Sequence, residues 1–416
     1  MLPEAAKQTS EPSLPQKNPL LARLGTAPEW NRLDAYQRSM SRTEFLRLLH
    51  HNYLQNDQSA EGLIEILPDR VRILKQSNQP EAGYYELFFL ADSSKKSAPP
   101  PKVPRYWKPP WILRPTPDSS KPLADLHIAI DPGHIGGEFA QVEERWYRIG
   151  ENTLPVTEGD MTLKVAQILK ENLSTLGAQV SLVRDDNHPV TKLRANDLMD
   201  EARQWLTHNP GSRKPSTAKL QRTAERLFYL SSEIRSRAEQ INTQLKPDLV
   251  ICLHFNAEAW GDPKKPDFVS KNHNHILING CYSKGELEED DERLEMLLRL
   301  LQRTYYYELT MAEEVSHTMR RGTGLPPYTY TADTAKKVNS NPYIWSRNLL
   351  ASRLYLCPVI FLEPYVMNNQ NVHSRIQAGD YPGIRKIGKT YRLSIYREYA
   401  DSVTAGLLNY FKHHRN

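Results

Sequence analysis

Ile128-Ala129-Ile130-Asp131-Pro132-Gly133-His134-Ile135-Gly136-Gly137 is the stretch on which the reading of this chain turns. An apolar run ends in a carboxylate and a proline, then enters a glycine-rich turn that displays a histidine. This reads as a buried strand feeding a tight loop, where glycines let the backbone turn and a bulky ligand come close. The Gly-Lys-Ser/Thr ending of a phosphate loop is missing. Asp131 is placed either to organise the turn or to hydrogen-bond the far side of the His134 ring, fixing the nitrogen offered to a metal.

Downstream, Leu163, Ala166, Leu169 and Leu173 recur at helical spacing, and Thr157 with Asp160 has capping-box spacing at the helix start. Gly177 is placed to end the helix, and residues 178–184 read as a second strand. Strand, helix, strand at this spacing predicts a parallel crossover and an α/β domain. Two more apolar strands are expected over 249–255 and 359–365. A long helix precedes the first, with Leu220, Ala224, Leu227, Ile234, Ala238, Ile241 and Leu245 on one face. A further helical region covers about 286–320, starting in the acidic run Glu286–Glu292, which complements a helix dipole and needs no ligand.

His254 lies near the end of the strand Val250-Ile251-Cys252-Leu253-His254-Phe255-Asn256. A polar ring there is costly unless paired or coordinated, and carboxyl ends of strands are where α/β sheets collect ligands. His134 and His254 together favour a metal. A catalytic zinc site of two histidines and a carboxylate needs one more ligand. Glu138, Glu143, Glu144, Glu151 and Glu158 are the candidates, and Glu158 has the place at the start of the crossover helix. Glu363, in Pro358-Val-Ile-Phe-Leu-Glu363-Pro364-Tyr365, must be paired, near a metal or at the solvent edge.

Before this domain, residues 1–27 are rich in Pro, Ser, Lys and Gln without periodicity. Residues 28–98 predict a small α+β accessory domain: a short helix after Ser41, with Glu44 at capping-box spacing, and strands near 63–67, 70–74 and 84–90. Nine prolines between Pro99 and Pro122 mark residues 99–123 as an extended linker, although Trp107 and Trp111 are expected to pack on something. Residues 124–416 are the domain that carries the candidate metal ligands. The opening MLPEAAKQTSEPSLPQKNPL shows no secretory signal, which leaves open a signal removed or replaced, or an intracellular protein. No apolar stretch reaches the length of a membrane span. Cys252, Cys281 and Cys357 form no CxxC pair and read as buried thiols. The net charge of +5 is modest and no basic recognition helix stands out, which argues against nucleic acid. The excess is concentrated after Tyr381, where seven Lys or Arg face only Glu398 and Asp401: a solvated tail, or contact with an anionic surface.

From about Leu126 to Asn369 the chain resembles the zinc-dependent N-acetylmuramoyl-L-alanine amidases of the Amidase_3 family. Asp131–Gly137 is similar to the family's Asp-Pro-Gly-His-Gly-Gly turn, and Glu158 through Leu163 to Ala166 to its Glu-x-x-x-x-Leu-x-x-Ala helix start. Cys252–Asn256 matches its Ser-x-His-x-Asn strand, and Glu363 with Asn368 or Asn369 its closing strand. Arg237 and Asn242 match the helix before the histidine strand. The resemblance implies a mostly parallel twisted sheet flanked by helices, a phosphorylase/hydrolase-like amidase fold, behind a small α+β domain. It implies that residues 124–416 are the catalytic domain, with insertions near 186–235 and 262–340. It implies Zn²⁺ held by His134, Glu158 and His254, with Glu363 catalytic. The reaction implied is hydrolysis of the amide between the lactyl group of N-acetylmuramic acid and L-alanine in peptidoglycan, in the periplasm or elsewhere in the cell envelope. The implied partners are peptidoglycan or muropeptides, with an activator protein or wall anchor. A zinc peptidase acting on the stem peptide and a non-catalytic peptidoglycan-binding protein are the other readings. Two departures stand out: Ile135 replaces a glycine, and the chain is longer between Asp185 and Arg237 and between His254 and Glu363. Some relatives carry a helix that covers the zinc site until an activator displaces it, and either insertion is a candidate for that device.

Overall fold

A computed structural model describes residues 24, 27–91, 103–113, 118–207, 214–259, 261–262 and 265–415. Nearly all of the 1–27 segment, the end of the accessory region and parts of the proline-rich linker lie outside them.

The centre is a seven-stranded sheet: β1 His127–Pro132, β2 Gln179–Leu182, β3 Leu249–Leu253, β4 Asn274–Ile278, β5 Lys336–Lys337, β6 Ile344–Ser346 and β7 Val359–Pro364, in the spatial order β5-β6-β4-β7-β3-β1-β2. Strands β2, β1, β3 and β7 run parallel, β4 is antiparallel to β7 and parallel to β6, and β5 is antiparallel to β6. The expected α/β fold with a mostly parallel sheet is therefore present.

Both faces of the sheet are covered, which is why its strands are apolar without a break. Ile128, Ile130, Ile251, Leu253, Ile360 and Leu362 belong to one core with α1 Glu158–Thr175, α2 Asp290–Gln302, α3 Thr304–Thr323, and α5 Ile395–His414, which follows α4 Gln370–Gln377. On the opposite face Ala129, Val250, Cys252, Leu277 and Phe361 meet Ala238, Ile241 and Tyr355. Each fully buried Ile or Leu contributes about 1.5–3 kcal/mol. The predicted 220–245 helix is one run, α-helical over Thr217–Arg226 and Glu233–Glu239 and wound as π-helix over Leu227–Ser232 and Gln240–Leu245.

Several local expectations meet a competing partner. The capping box at Thr157 does not form, because the Asp160 carboxylate accepts from Gly137 N and Asn187 Nδ2. Ser41 does cap its helix, accepting from Glu44 N at 3.2 Å, but the Glu44 carboxylate takes both forks of Arg303 at 2.8 Å. The helix expected over 286–320 is broken: a short turn Lys284–Leu287 precedes α2, and Arg303 adopts left-handed backbone (φ 63°) between α2 and α3. The acidic run there does more than face a dipole, since Asp290 binds Arg293, Asp291 binds Arg235 and Glu292 binds Arg353.

The predicted N-terminal strands are present as an antiparallel sheet of Ile64–Ile66, Arg70–Leu74 and Tyr84–Phe88. Leu33, Phe45, Leu48 and Tyr53 run into the same apolar core as Tyr282, Leu294 and Leu297. Backbone bonds seal that contact: Cys281 N and Tyr282 N donate to Asn52 and Tyr53 carbonyls at 2.8 and 2.6 Å. Trp107 is buried against the sheet, and Trp111 stacks on Tyr307 at 5.0 Å while remaining half exposed. The three cysteines are buried and free. No helix among the described residues is long and apolar enough to cross a membrane.

Arg299 of α2 and Glu308 of α3 form a fully buried ion pair, and Glu308 also accepts from Val359 N at the start of β7. Replacing Arg299 by Leu strands that carboxylate, so denaturant unfolding should report a loss of about 3–5 kcal/mol. Adding Glu308→Leu should restore much of it.

Candidate metal centre at the sheet edge

The carboxyl end of β1 delivers His134. Its backbone sits in the left-handed region (φ 59°), and Gly136 and Gly137 continue there (φ 79° and 54°). The turn is pinned from three sides. Arg237 donates to the carbonyls of Pro132 and His134 at 2.8 and 2.9 Å, and to Asp131 and Glu233 at 2.8 and 2.7 Å. Arg184 donates to the Pro132, Gly133 and Gly159 carbonyls. Glu143 receives Ile135 N and Gly136 N at 2.9–3.0 Å.

Glu143, rather than Asp131, occupies the far side of the His134 ring, with its Oε1 3.6 Å from Nδ1. Asp131 takes the other expected role: Arg237 and Tyr355 hold it at 2.8 and 2.5 Å beneath the turn. Tyr355 and Arg237 keep Asp131 in the sheet core, where the guanidinium compensates its charge, and the far side of the ring is left to Glu143.

The end of β3 delivers His254, and the first turn of α1 delivers Glu158. Glu158 Oε2 lies 3.2 Å from His134 Nε2, and Oε1 lies 3.1 Å from both His254 Nδ1 and Phe255 N. One ligand atom from each of the three residues falls within 4.8 Å of the other two. The spacing requires small residues. A Cβ on Gly133 would sit 2.3 Å from the His254 ring, and one on Gly159 would sit 2.3 Å from Gly136 N, so the turn and the helix start touch backbone to backbone.

Phe361 stacks on His254 with ring centroids 4.2 Å apart. Leu362 pairs with Leu253 in parallel register, so Glu363 and His254 follow side by side on adjacent strands. Strand alternation puts both on the Phe361–Cys252 face. Glu363 is buried and stands opposite His275 across the β4–β7 pair. Of the remaining carboxylates weighed from sequence, Glu138 and Glu151 are exposed, and Glu144 pairs with Arg226.

Arg145 was not singled out from sequence. The short Trp146–Tyr147 and Val156–Thr157 pairing folds it back so that its Nε lies 3.3 Å from Glu158 Oε2. No local pattern announces that contact, which depends on where a loop closes. Ile135 is fully buried against Leu198, Ala224, Leu227 and Phe228, so the residue that departs from glycine is the one that receives the first insertion. Tyr229, Leu230 and Ile234 of the 217–245 helix, with Leu349 to Ala351, wall a cavity beside His134 and His254. About 40 Å³ of it admits water, room for roughly three molecules at 10–15 Å³ each.

Burial alone would lower the His134 pKa, but Glu158 and Glu143 outweigh it and push it up to about 9. Burial alone would likewise raise Glu158, and His134 with His254 hold it well below the usual carboxylate range. His134 therefore stabilises the metal-free fold fully below pH 6.5, and that contribution is lost as pH rises through about 9. Thermal unfolding in chelator should show a falling melting temperature across that window. A divalent cation bound in place of the proton would show an apparent affinity that rises over the same range.

No curated protein matches the chain in sequence. Among solved structures it is similar to the CwlD amidase of Clostridioides difficile in complex with the GerS lipoprotein, at 13% identity over 70% of this chain and 100% of that one, TM-score 0.38. The N-acetylmuramyl-L-alanine amidase Ami1 of Mycobacterium smegmatis gives 14% identity over 70% and 99%, TM-score 0.38. The catalytic domain of CwlV, an N-acetylmuramoyl-L-alanine amidase of Bacillus (Paenibacillus) polymyxa, gives 14% over 69% and 98%, TM-score 0.37. The family model Amidase_3, N-acetylmuramoyl-L-alanine amidase, matches residues 128–395, more than half of the 416, and spans every residue of the His134, Glu158, His254 and Glu363 group: the chain belongs to that family.

Proposed function

We propose that the chain hydrolyses the amide bond between the lactyl group of N-acetylmuramic acid and the L-alanine of the stem peptide in peptidoglycan. In this reading His134, Glu158 and His254 hold zinc and Glu363 is the catalytic residue. The convergence of those three donors at the carboxyl edge of the sheet, in a chain of this family, carries the proposal. Two imidazoles and a carboxylate are a catalytic zinc set, and the cluster is compact enough for one ion. Zinc bound there supplies Lewis-acid polarisation of the amide carbonyl and acidifies a water.

The chain's own residues supply position and proton movement. Glu143 holds the far side of His134, which leaves Nε2 facing Glu158. Phe255 N fixes one oxygen of Glu158. Glu363, level with His254 on the next strand, takes a proton from the attacking water and returns it to the departing L-alanine nitrogen. Residues 124–416 form the catalytic unit, and 28–98 an accessory unit seated against 279–303. Such an activity belongs in the cell envelope, in the periplasm or outside the cell.

The 217–245 helix is the element we assign to site closure. Its Tyr229, Leu230 and Ile234 line the cavity beside His134 and His254. An activator that shifts the front of this helix is the partner this reading implies.

Digestion of purified peptidoglycan by the zinc-loaded protein, with mass spectrometry of the new ends, tests the reaction. Stem peptides starting at L-alanine are expected; cuts within the stem would assign a peptidase, and no release a binding protein. Glu363→Gln should keep its zinc and its fold yet lose roughly two to four orders of magnitude in turnover. Wild-type turnover in that variant would remove Glu363 from the mechanism. The double variant Tyr229→Ala, Leu230→Ala should cleave soluble muropeptides several-fold faster at unchanged zinc content, and equal rates would count against closure by this helix.

A further inference from the structure

The basic excess after Tyr381 separates into two kinds of residue. Arg397 is tied to Asp380 by two bonds of 2.9 and 2.8 Å, and Arg415 to Asp125 at 3.0 and 2.6 Å. Of the five cations that remain, Lys412 lies on α5 and the other four on one hairpin, β8 Ile384–Ile387 and β9 Thr390–Leu393: Arg385, Lys386, Lys389 and Arg392, with no acidic residue between 384 and 393.

Almost nothing covers this hairpin. Ile384 is 69% exposed and Tyr391 71%. Its base is held by Arg375 Nη2 on the Leu393 carbonyl and Tyr381 OH on the Arg392 carbonyl, and the Arg385 guanidinium lies over the Tyr381 ring at 5.7 Å. Arg385 stands directly opposite Arg392, and Lys386 opposite Tyr391. A free two-stranded ribbon is marginal in water, and like charges directly opposite destabilise it further. One face therefore presents two guanidinium groups side by side, and the other presents Ile384 and Tyr391 beside an ammonium. That is a surface for a polymer combining anionic groups with sugar rings and carbon skeleton.

Its position names the polymer. Gln377, at the end of α4 and just before the hairpin, exchanges two bonds with the Leu154 backbone at 2.8 and 2.9 Å. Leu154 belongs to the loop that leads into Glu158. After the hairpin, α5 runs beside α1, with Asn172 bonded to Asp401 and Thr404. The hairpin thus springs from the rim that carries the metal cluster.

We propose that the 384–393 hairpin grips peptidoglycan next to the strand being cut, with Arg385 and Arg392 on the stem-peptide carboxylates and Tyr391 against the glycan. This rests on the amidase reading and adds an anchoring surface to it. The test compares wild type with the full-length variant Arg385→Gln, Lys386→Gln, Lys389→Gln, Arg392→Gln. Co-sedimentation with insoluble peptidoglycan should weaken about tenfold, four exposed ion pairs acting together, and wild-type binding should fall as salt is raised. KM on intact sacculi should rise, while kcat and the rate on a short soluble muropeptide stay unchanged. Equal sedimentation of the two proteins overturns the proposal. So does a loss confined to vesicles of phosphatidylglycerol and phosphatidylcholine, which would assign the hairpin to a membrane surface. Should neither protein release stem peptide, the amidase reading fails, and sedimentation still decides the hairpin.

Discussion

Four acceptors converge on the guanidinium of Arg237: the carboxylates of Asp131 and Glu233 and the carbonyls of Pro132 and His134. The charge is buried, and burial alone would disfavour it, but two carboxylates more than compensate. A planar fork with five donors can satisfy this many acceptors at fixed angles; an ammonium cannot. That geometry ties the helix to the strand end, and through the His134 carbonyl it sets a left-handed residue that would otherwise be strained. The turn that carries His134, the 217–245 helix and the sheet edge all meet at it.

The sheet and its crossover were legible in the sequence because burial on two faces writes itself as uninterrupted apolar runs, and because α1 keeps a helical apolar spacing. His134, Glu158 and His254 were legible for a related reason: each is a polar group at the end of a buried element, where a polar side chain needs a purpose. Glu143 and Arg145 were harder to place. Their roles come from how residues 138–157 fold back across the edge, and a loop's path is set by contacts distant in sequence. Thr157 and Asp160 illustrate the opposite failure. The local spacing was right for a cap, but Gly137 N offered Asp160 a tertiary donor. The break at Arg303 has the same origin, since its side chain is claimed by Glu44 and the Ser39 carbonyl.

Contacts between the N-terminal region and the rest of the chain run through the end of the sheet's central strand, Leu74, and through the helical turns before the sheet. Arg293 donates to the Leu74 carbonyl, Arg303 to Glu44, and Arg32 to Glu295. The helices of the second long stretch therefore cover one face of the sheet and also give residues 27–91, which alone would bury little, a surface to pack on. The first insertion faces the other way, toward the metal cluster.

Ile135 gives that arrangement a thermodynamic consequence. The residue adjoins His134 in the chain, yet its side chain lies in the core of the first insertion with Ala224 and Phe228. The same helix reaches back with Arg237 to hold the His134 carbonyl. In the proposed reading, ion binding at His134 and the position of the 217–245 helix would be linked equilibria, because each would be felt at adjoining atoms of one turn. Linkage is reciprocal: by whatever factor a ligand of the shifted helix changed ion affinity, the ion would change that ligand's affinity by the same factor. Displacement that spares the turn must bend the helix ahead of Glu233, in the π-wound segment Leu227–Ser232, where the wider winding already departs from regular α-helix. Were an ion held by His134, Glu158 and His254, a partner acting on that segment would change its affinity without touching any of the three.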